Sequence, residues 1–343
     1  MGKTVVRDNA DNAKITIQDV ADALGISKTT VSRAISGKGR IGEATRTKVM
    51  AYIEENNYKP NPIAKGLANQ RTYNIAWIVP GDSGITDLPF FQKCMTGVIK
   101  VAESMDYDVL ISVVYENENE SLKRIVRNKK VDGVVLGRTL KNDANVAFLK
   151  ESGIPFVCIG STDYKNVIQI DNDHIKACSE LTSILILKGI RKIVLIGGNE
   201  EYVVNSTRRT GYEKAVADSI NSGIKVNSDI YMNADSEQYV SRIVDIAVRD
   251  GVECIVAMDD KICSMVLDKL YKDDIDVPRD MKIASFYNSE IIANAQPSVT
   301  SLQYDPETLG ITAAETLFAY IDGQEVETNV LLGYDVLLRG STQ

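Results

Sequence analysis

Two short amphipathic periods follow residue 15. In Thr16-Ile-Gln-Asp-Val-Ala-Asp-Ala-Leu24 the apolar Val20, Ala21 and Leu24 recur at helical spacing. In Ser27-Lys-Thr-Thr-Val-Ser-Arg-Ala-Ile35 the same holds for Val31, Ala34 and Ile35. Thr16 and Ser27 are good N-caps, Asp19 stands at the third helical position, and Gly25 supplies the turn between the helices. A third helix is expected at about 43–57, with Gly42 as its cap and Val49, Tyr52 and Ile53 on its inner side. Lys28, Thr29, Ser32 and Arg33 share the outward face of the second helix. Small Ala21 at the crossing, the glycine turn and this polar face together spell a helix-turn-helix.

Beyond it, Tyr58-Lys-Pro-Asn-Pro-Ile-Ala-Lys-Gly-Leu-Ala68 predicts a short helix, capped by Asn61 and started by Pro62. Gly66 weakens that helix by about 1 kcal/mol relative to alanine. A helix so short forms only against a partner. From Tyr73 the pattern changes to continuous apolar runs alternating with helical periods. Strands are expected at 75–79, 107–114, 131–136 and 155–159, with a helix at 90–105. A second series follows with strands at 192–196, 253–257 and 281–286 and helices at 172–188, 205–221 and 260–271. Such alternation indicates parallel sheets covered on both faces. The expected fold class is an all-α helix-turn-helix headpiece followed by an α/β body of two parallel-sheet lobes. The tail from Leu331 to Gln343 reads as a closing strand, with no heptad segment after it.

A chain of 343 residues exceeds one ordinary core, and 44% hydrophobic with 25% charged residues suits a soluble globular protein. No apolar run of membrane-spanning length or signal-peptide core occurs, which predicts a cytoplasmic protein without a membrane partner. The net charge of −8 hides an asymmetry: residues 1–72 carry 12 Lys/Arg against 7 Asp/Glu, and the remainder 27 against 40. A basic head on an acidic body confines polyanion contact to the first part of the chain. The five cysteines are scattered without a C-x-x-C pair, as reduced thiols would be, and the single His174 has no second ligand at metal spacing. No nucleophile elbow, nucleotide-binding glycine loop or H-E-x-x-H string is present. No catalytic residue, metal or cofactor is therefore assigned, and the protein is read as a non-enzyme.

These motifs carry a resemblance. Thr16-Ile-x-Asp-Val-Ala, Ser27-Lys-Thr-Thr-Val-Ser-Arg33, Tyr58-x-Pro-Asn-Pro-Ile-Ala and Leu67 resemble the headpiece of the LacI/GalR family of bacterial transcription repressors, and the likeness runs on to the C-terminus. It implies that the second helix enters the major groove and that paired hinge helices push Leu67 into a minor-groove step. The implied DNA-contacting residues are Thr16, Lys28, Thr29, Thr30, Ser32, Arg33, Asn61, Ala64, Lys65 and Leu67. Arg33 can fork onto guanine, Lys28 can reach guanine or phosphate, and Thr29 can touch base edges or a thymine methyl. Thr30 and Ser32 suit phosphate. Lys65 and Gly66 stand where the family more often has Arg and Ser.

For the body, the resemblance implies the periplasmic-binding-protein fold with three crossings between lobes, near residues 171, 301 and 329. The implied organisation is a disordered leader over 1–14, a DNA-binding domain over 15–60, a hinge over 61–72 and a bilobal effector-binding and dimerisation domain over 73–343. Lobe 1 takes about 73–170 and 301–328, and lobe 2 about 171–300 and 329–343. Effector candidates are Phe90, Phe91, Arg138, Arg208, Asp259, Tyr287 and Tyr304. Arg208 lies in the family's Arg-x-x-Gly-aromatic string. Asp259 replaces an asparagine, Tyr287 takes the place of a sugar-gripping aspartate, and Tyr304 stands where glutamine is frequent. Asp260 reads as a helix cap. Asp171, read as the cap of the helix it precedes, and Arg138, read as exposed, are secondary candidates. The implied partners are a double-stranded inverted-repeat operator, a second copy of the chain and a small-molecule effector such as a sugar. Two other readings stand beside this one: a solute-binding or sugar-processing protein using the same body, and a regulator that answers to a partner protein.

Overall fold

A computed structural model describes residues 15–343 except 38, 59–65, 68, 82–87 and 116–118. The expected leader over 1–14 and the hinge residues Asn61, Ala64 and Lys65 lie outside the described residues. The chain forms two compact units, Met1–Thr72 and Tyr73–Gln343.

In the first unit, α1 spans Ile17–Leu24, α2 Lys28–Ser36 and α3 Glu43–Glu55. Each boundary has a local cause. Thr16 and Asp19 close a reciprocal capping box, the Thr16 N–H donating to Asp19 Oδ2 at 2.8 Å. Gly25 ends α1 at φ 64°, a left-handed conformation that glycine adopts without strain. Ser27 Oγ accepts from the Thr30 N–H at 3.1 Å and starts α2. The three helices enclose Val20, Ala21, Val31, Ala34, Val49 and Tyr58.

The second unit is two six-stranded sheets. The first draws on β1 (Asn74–Pro80), β2 (Asp108–Val114), β3 (Gly133–Leu136), β4 (Phe156–Ile159) and β5 (Ile168–Asn172). The second holds β6 (Lys192–Ile196), β7 (Asn227–Tyr231), β8 (Cys254–Ala257), β9 (Lys282–Ser285) and β10 (Thr300–Gln303). The tail contributes not one closing strand but two: β11 (Asn329–Leu332) and β12 (Asp335–Leu337). β11 joins the first sheet in parallel with β5, placing Val330 opposite Ile170, and β12 joins the second sheet antiparallel to β10. The strand orders are β11-β5-β4-β3-β1-β2 and β12-β10-β9-β8-β6-β7. The second sheet is therefore parallel except at this one edge.

The chain thus passes between lobes after Asn172, after Gln303 and after Leu332. The sequence places the third passage near 329, which the pairing of Asn329–Leu332 with β5 moves a few residues on. All three passages lie at strand ends that face one cleft, the place where open α/β sheets hold ligands. All five cysteines are buried and free. Burial pushes their thiols far up, Cys254 to about 12 and the others further, so none is poised as a nucleophile. No described helix is long and apolar enough to cross a membrane.

Candidate DNA interface and effector cleft

On the headpiece, Lys28, Thr29, Ser32 and Arg33 are exposed along one side of α2, and Thr16 is exposed at the start of α1. Thr30 is half-buried, its hydroxyl 2.8 Å from Ser27 Oγ, so it reinforces the cap that aims the helix. The Arg33 stem runs beside Gly39, where a Cβ would lie 3.3 Å from Arg33 Cδ. Gly66, Leu67 and Asn69 are helical. Leu67 is 83% exposed, an apolar side chain open to solvent. The Arg71 N–H donates to the Gly66 carbonyl at 3.0 Å, and a Cβ on Gly66 would stand 2.6 Å from the Arg71 carbonyl oxygen. Glycine at 66 therefore answers a close backbone approach in addition to softening the helix.

In the body, the helix Val203–Asn221 carries the Arg-x-x-Gly-aromatic string across the helix His174–Leu187. Gly211 permits the crossing, since a Cβ there would meet the Ile175 carbonyl oxygen at 2.4 Å. Tyr212 is anchored below, its hydroxyl bonded to the Ile193 carbonyl and to Ser228. One turn earlier Arg208 is 92% buried and donates from Nη1 to the Met258 carbonyl at 2.9 Å. Its neighbour Arg209 points outward to Glu200 and Glu213. The string thus separates a buried guanidinium from a surface one.

Arg208 meets a chain of aromatic rings. Its guanidinium lies 5.9 Å from the Tyr287 ring centroid. Tyr287 sits edge-on to Phe90 of the first lobe at 6.2 Å and stacks with Tyr304 at 6.4 Å and 17°. Tyr304, on the second passage, packs against His174, on the first, at 4.8 Å. Phe90, Arg208, Tyr287 and Tyr304 are therefore brought together as one constellation. Phe91 meets Phe90 edge-on at 5.3 Å, while its side chain is buried in the core of the first lobe with Cys94 and Val98.

Arg138 and Asp259 have other places. Arg138 is not simply exposed: its guanidinium lies 4.1 Å from the Tyr202 ring centroid, beside a bridge that ties the lobes together. There the Lys141 N–H donates to the Glu201 carbonyl at 2.9 Å, and the Val203 N–H to the Thr139 carbonyl at 3.3 Å. Asp259, not Asp260, caps the helix Asp260–Lys272, accepting from the Ile262 N–H at 2.8 Å through Oδ1. Asp260 is the first helical residue and is buried. The register explains the exchange, because Asp259 keeps the extended backbone a cap requires.

Asp171 does not cap the following helix either; Asp173 does, accepting from the Lys176 N–H. Asp171 instead accepts from Ser161 Oγ at 2.8 Å and lies 3.3 Å from His174 Nε2. Burial holds the His174 imidazole below its ordinary pKa, with Arg208 adding to the effect and Asp171 and Asp173 opposing it. Burial alone would raise Asp171, but the charge of protonated His174 and hydrogen bonds from His174, Ser161 and the Asn172 N–H hold it below the usual carboxylate range. With both values depressed in the fold, the unfolded chain binds more protons on acidification. The His174 contribution is lost as pH falls below about 6.5, and that of Asp171 further down, below its usual range. The melting temperature is expected to fall between pH 7.5 and 5.5, and His174→Gln to flatten that slope. An unchanged slope in a pH series of thermal melts would remove His174 as its source.

Comparison with known proteins agrees with this geometry. Residues 16–61 match the model of bacterial regulatory proteins of the lacI family, and residues 182–342 that of a periplasmic binding protein-like domain. A curated relative, the HTH-type transcriptional regulator MalR of Staphylococcus xylosus, is 30% identical over 322 residues, 91% of this chain and 93% of that one. The chain belongs to the LacI family. Catabolite control protein A of Staphylococcus epidermidis is 29% identical to this LacI-family protein over 341 residues, 96% of this chain and 99% of the relative. Among solved structures, a lac repressor dimer bound to operator and the anti-inducer ONPF superimposes with a TM-score of 0.77 at 21% identity, covering 96% of this chain and 99% of that one. The relatives are transcription regulators, and this LacI-family chain is a DNA-binding transcription regulator of the same architecture. Sequence reasoning undervalued His174 and Asp171 in it. The one available signal was their i, i+3 spacing at a strand end.

Proposed function

We propose that this regulator is a repressor that binds an inverted-repeat operator as a homodimer, and that a small molecule in the interlobe cleft switches its operator affinity. The exposed face formed by Lys28, Thr29, Ser32 and Arg33 on a three-helix core carries the reading. The lac repressor structure at 0.77 is a dimer on operator, and the transcriptional regulator CelR, similar at a TM-score of 0.69 and 24% identity, was solved as a cellobiose complex. The first supports a twofold DNA complex, and the second a sugar or related metabolite as effector. Mechanistically, an effector that binds one arrangement of the lobes more tightly than the other biases headpiece spacing and hinge ordering. Each 1.4 kcal/mol of that preference is about a tenfold change in operator affinity.

Salt-dependent gel shifts with an inverted-repeat DNA test the reading. A steep loss of affinity with salt is expected, and a failure to bind any duplex at low salt would favour a solute-binding body. Arg33→Ala is expected to cost about 2 kcal/mol on operator and to relax specificity at one base pair per half-site. Equal losses on specific and random duplexes would make Arg33 a phosphate contact. Leu67→Ala is expected to weaken operator binding and reduce DNA bending, because the exposed leucine is the wedge that unstacks a central step. A bend angle in phased gel shifts equal to that of the wild-type protein would reject the wedge.

A further inference from the structure

Seven buried side-chain atoms among the described residues lack a hydrogen-bond partner of good geometry, and four belong to one neighbourhood: Asn172 Oδ1, His174 Nδ1, Arg208 Nε and Tyr304 Oη, the last of which lies against the Cys178 thiol. Each of these residues is more than nine-tenths buried. Leaving a buried donor or acceptor unmatched is costly, so such a cluster calls for a molecule that supplies the missing partners. Tyr287 stands beside it. Its ring stacks with Tyr304, meets the edge of Phe90 and lies against the Arg208 guanidinium. That ring meets the apolar and cation–π demands of the place, while Asn172 Oδ1, His174 Nδ1 and Arg208 Nε stay unmatched.

We propose that the Tyr287 ring is a plug in the effector's place, and that the effector is a planar heterocycle with a ring N–H beside a carbonyl oxygen. The proposal rests on the cleft being the effector site. A flat ring that displaces Tyr287 inherits its partners: the face of Tyr304, the edge of Phe90 and the guanidinium of Arg208. Its polar edge supplies what the tyrosine lacks. Arg208 Nε is a donor and takes the carbonyl. His174 Nε2 faces the Asp171 carboxylate, so its proton sits there and Nδ1 is an acceptor for the ring N–H. Asn172 Oδ1 accepts from a second N–H or an amino group. A pyranose fits this set poorly, since its hydroxyls radiate from a puckered ring.

Isothermal titration of the full-length protein tests this with hypoxanthine and uracil as heterocycles and glucose and maltose as sugars. At least one heterocycle is expected to bind, about tenfold more tightly to Tyr287→Ala, in which the plug no longer competes, and at least tenfold more weakly to Arg208→Ala. Thermal melts check each variant, and Tyr287→Leu, which keeps bulk without a flat ring, replaces the alanine variant if that one melts early. Sugar binding that Arg208→Ala abolishes, without heterocycle binding, overturns the ligand class and leaves the cleft as the effector site. Heterocycle binding that weakens in Tyr287→Ala overturns the plug. If none of the four probes binds either the wild-type protein or Tyr287→Ala, the proposed class is overturned. A probe that alters operator binding equally in the wild-type protein and Arg208→Ala overturns the cleft reading as well.

Discussion

Gly310→Ala is expected to destabilise the body by about 3 kcal/mol, seen as a lower urea midpoint of the 73–343 transition. Gly310 lies on the helix Pro306–Ile321, which packs along the helix Leu88–Ser104 of the first lobe. A Cβ at 310 would stand 1.9 Å from the Cys94 carbonyl oxygen, and one at Gly97 would stand 2.2 Å from the Glu307 carbonyl oxygen. Both neighbours are backbone of the facing helix, so neither can rotate away. The helices would have to separate, opening contacts among Cys94, Leu309, Ala313 and Ala314. Overpacking of this kind costs about 1–3 kcal/mol and sometimes more; two rigid backbones put this site at the upper end. Gly153→Ala is the contrasting case, since a Cβ there meets nothing within 4 Å and only the φ of +69° opposes it. Equal midpoints for Gly310→Ala and the wild-type protein would mean that the helices are less tightly apposed than described.

The same residues show why some of this molecule was legible in the sequence and some was not. The headpiece was readable because its information is local: Thr16 with Asp19, Gly25 and Ser27 each act within four residues of themselves. The inner strands were readable because burial on both faces makes them continuous apolar runs, such as Cys254–Ala257. Edge strands carry no such signal. Asn227–Tyr231 is largely polar, and Asn329–Leu332 and Asp335–Leu337 are too short to reveal that they belong to different sheets. The helix Glu237–Arg249 goes beyond the sequence reading too, although Ser236 caps it and Val240, Ile243, Val244 and Ala247 line its buried side.

The cleft was legible where the family string is anchored by packing and illegible where one-residue register decides. Arg208 follows from Gly211 and Tyr212, which fix how the helix crosses its neighbour. Asp259 and Asp260, or Asp171 and Asp173, are adjacent or nearly adjacent carboxylates. Only the backbone conformation tells which one caps a helix and which faces inward. The aromatic chain from Phe90 to His174 joins residues nearly two hundred positions apart, so no local pattern could announce it. It also gives the cleft a mechanical role. His174 and Tyr304 sit on two of the three passages between lobes, and Phe90 and Tyr287 reach in from opposite sides. A change at Tyr287 is therefore felt beside the passages between the lobes, while residues 139–141 and 201–203 make a separate contact between the lobes.

Arg208→Ala is accordingly expected to uncouple operator binding from small molecules. A coupling of about 5–150-fold, the usual range for an allosteric effector, should collapse to no response in fluorescence anisotropy titrations with metabolite probes, with probe-free operator affinity retained. Among the described residues the guanidinium is the one buried cation that reaches both the Met258 carbonyl of the second lobe and the Tyr287 ring, and its Nε is still unmatched. Truncation removes the donor that a ligand would engage and the positive face on which the tyrosine rests. Arg209→Ala is the control: that side chain pairs with Glu200 and Glu213 on the half-exposed side of the same helix, where ion pairs contribute little. Its response should match the wild-type protein. If Arg208→Ala responds as fully as Arg209→Ala, the effector does not use the buried guanidinium. If Arg208→Ala loses operator affinity in the absence of any probe, Arg208 instead maintains the DNA-competent arrangement of the lobes.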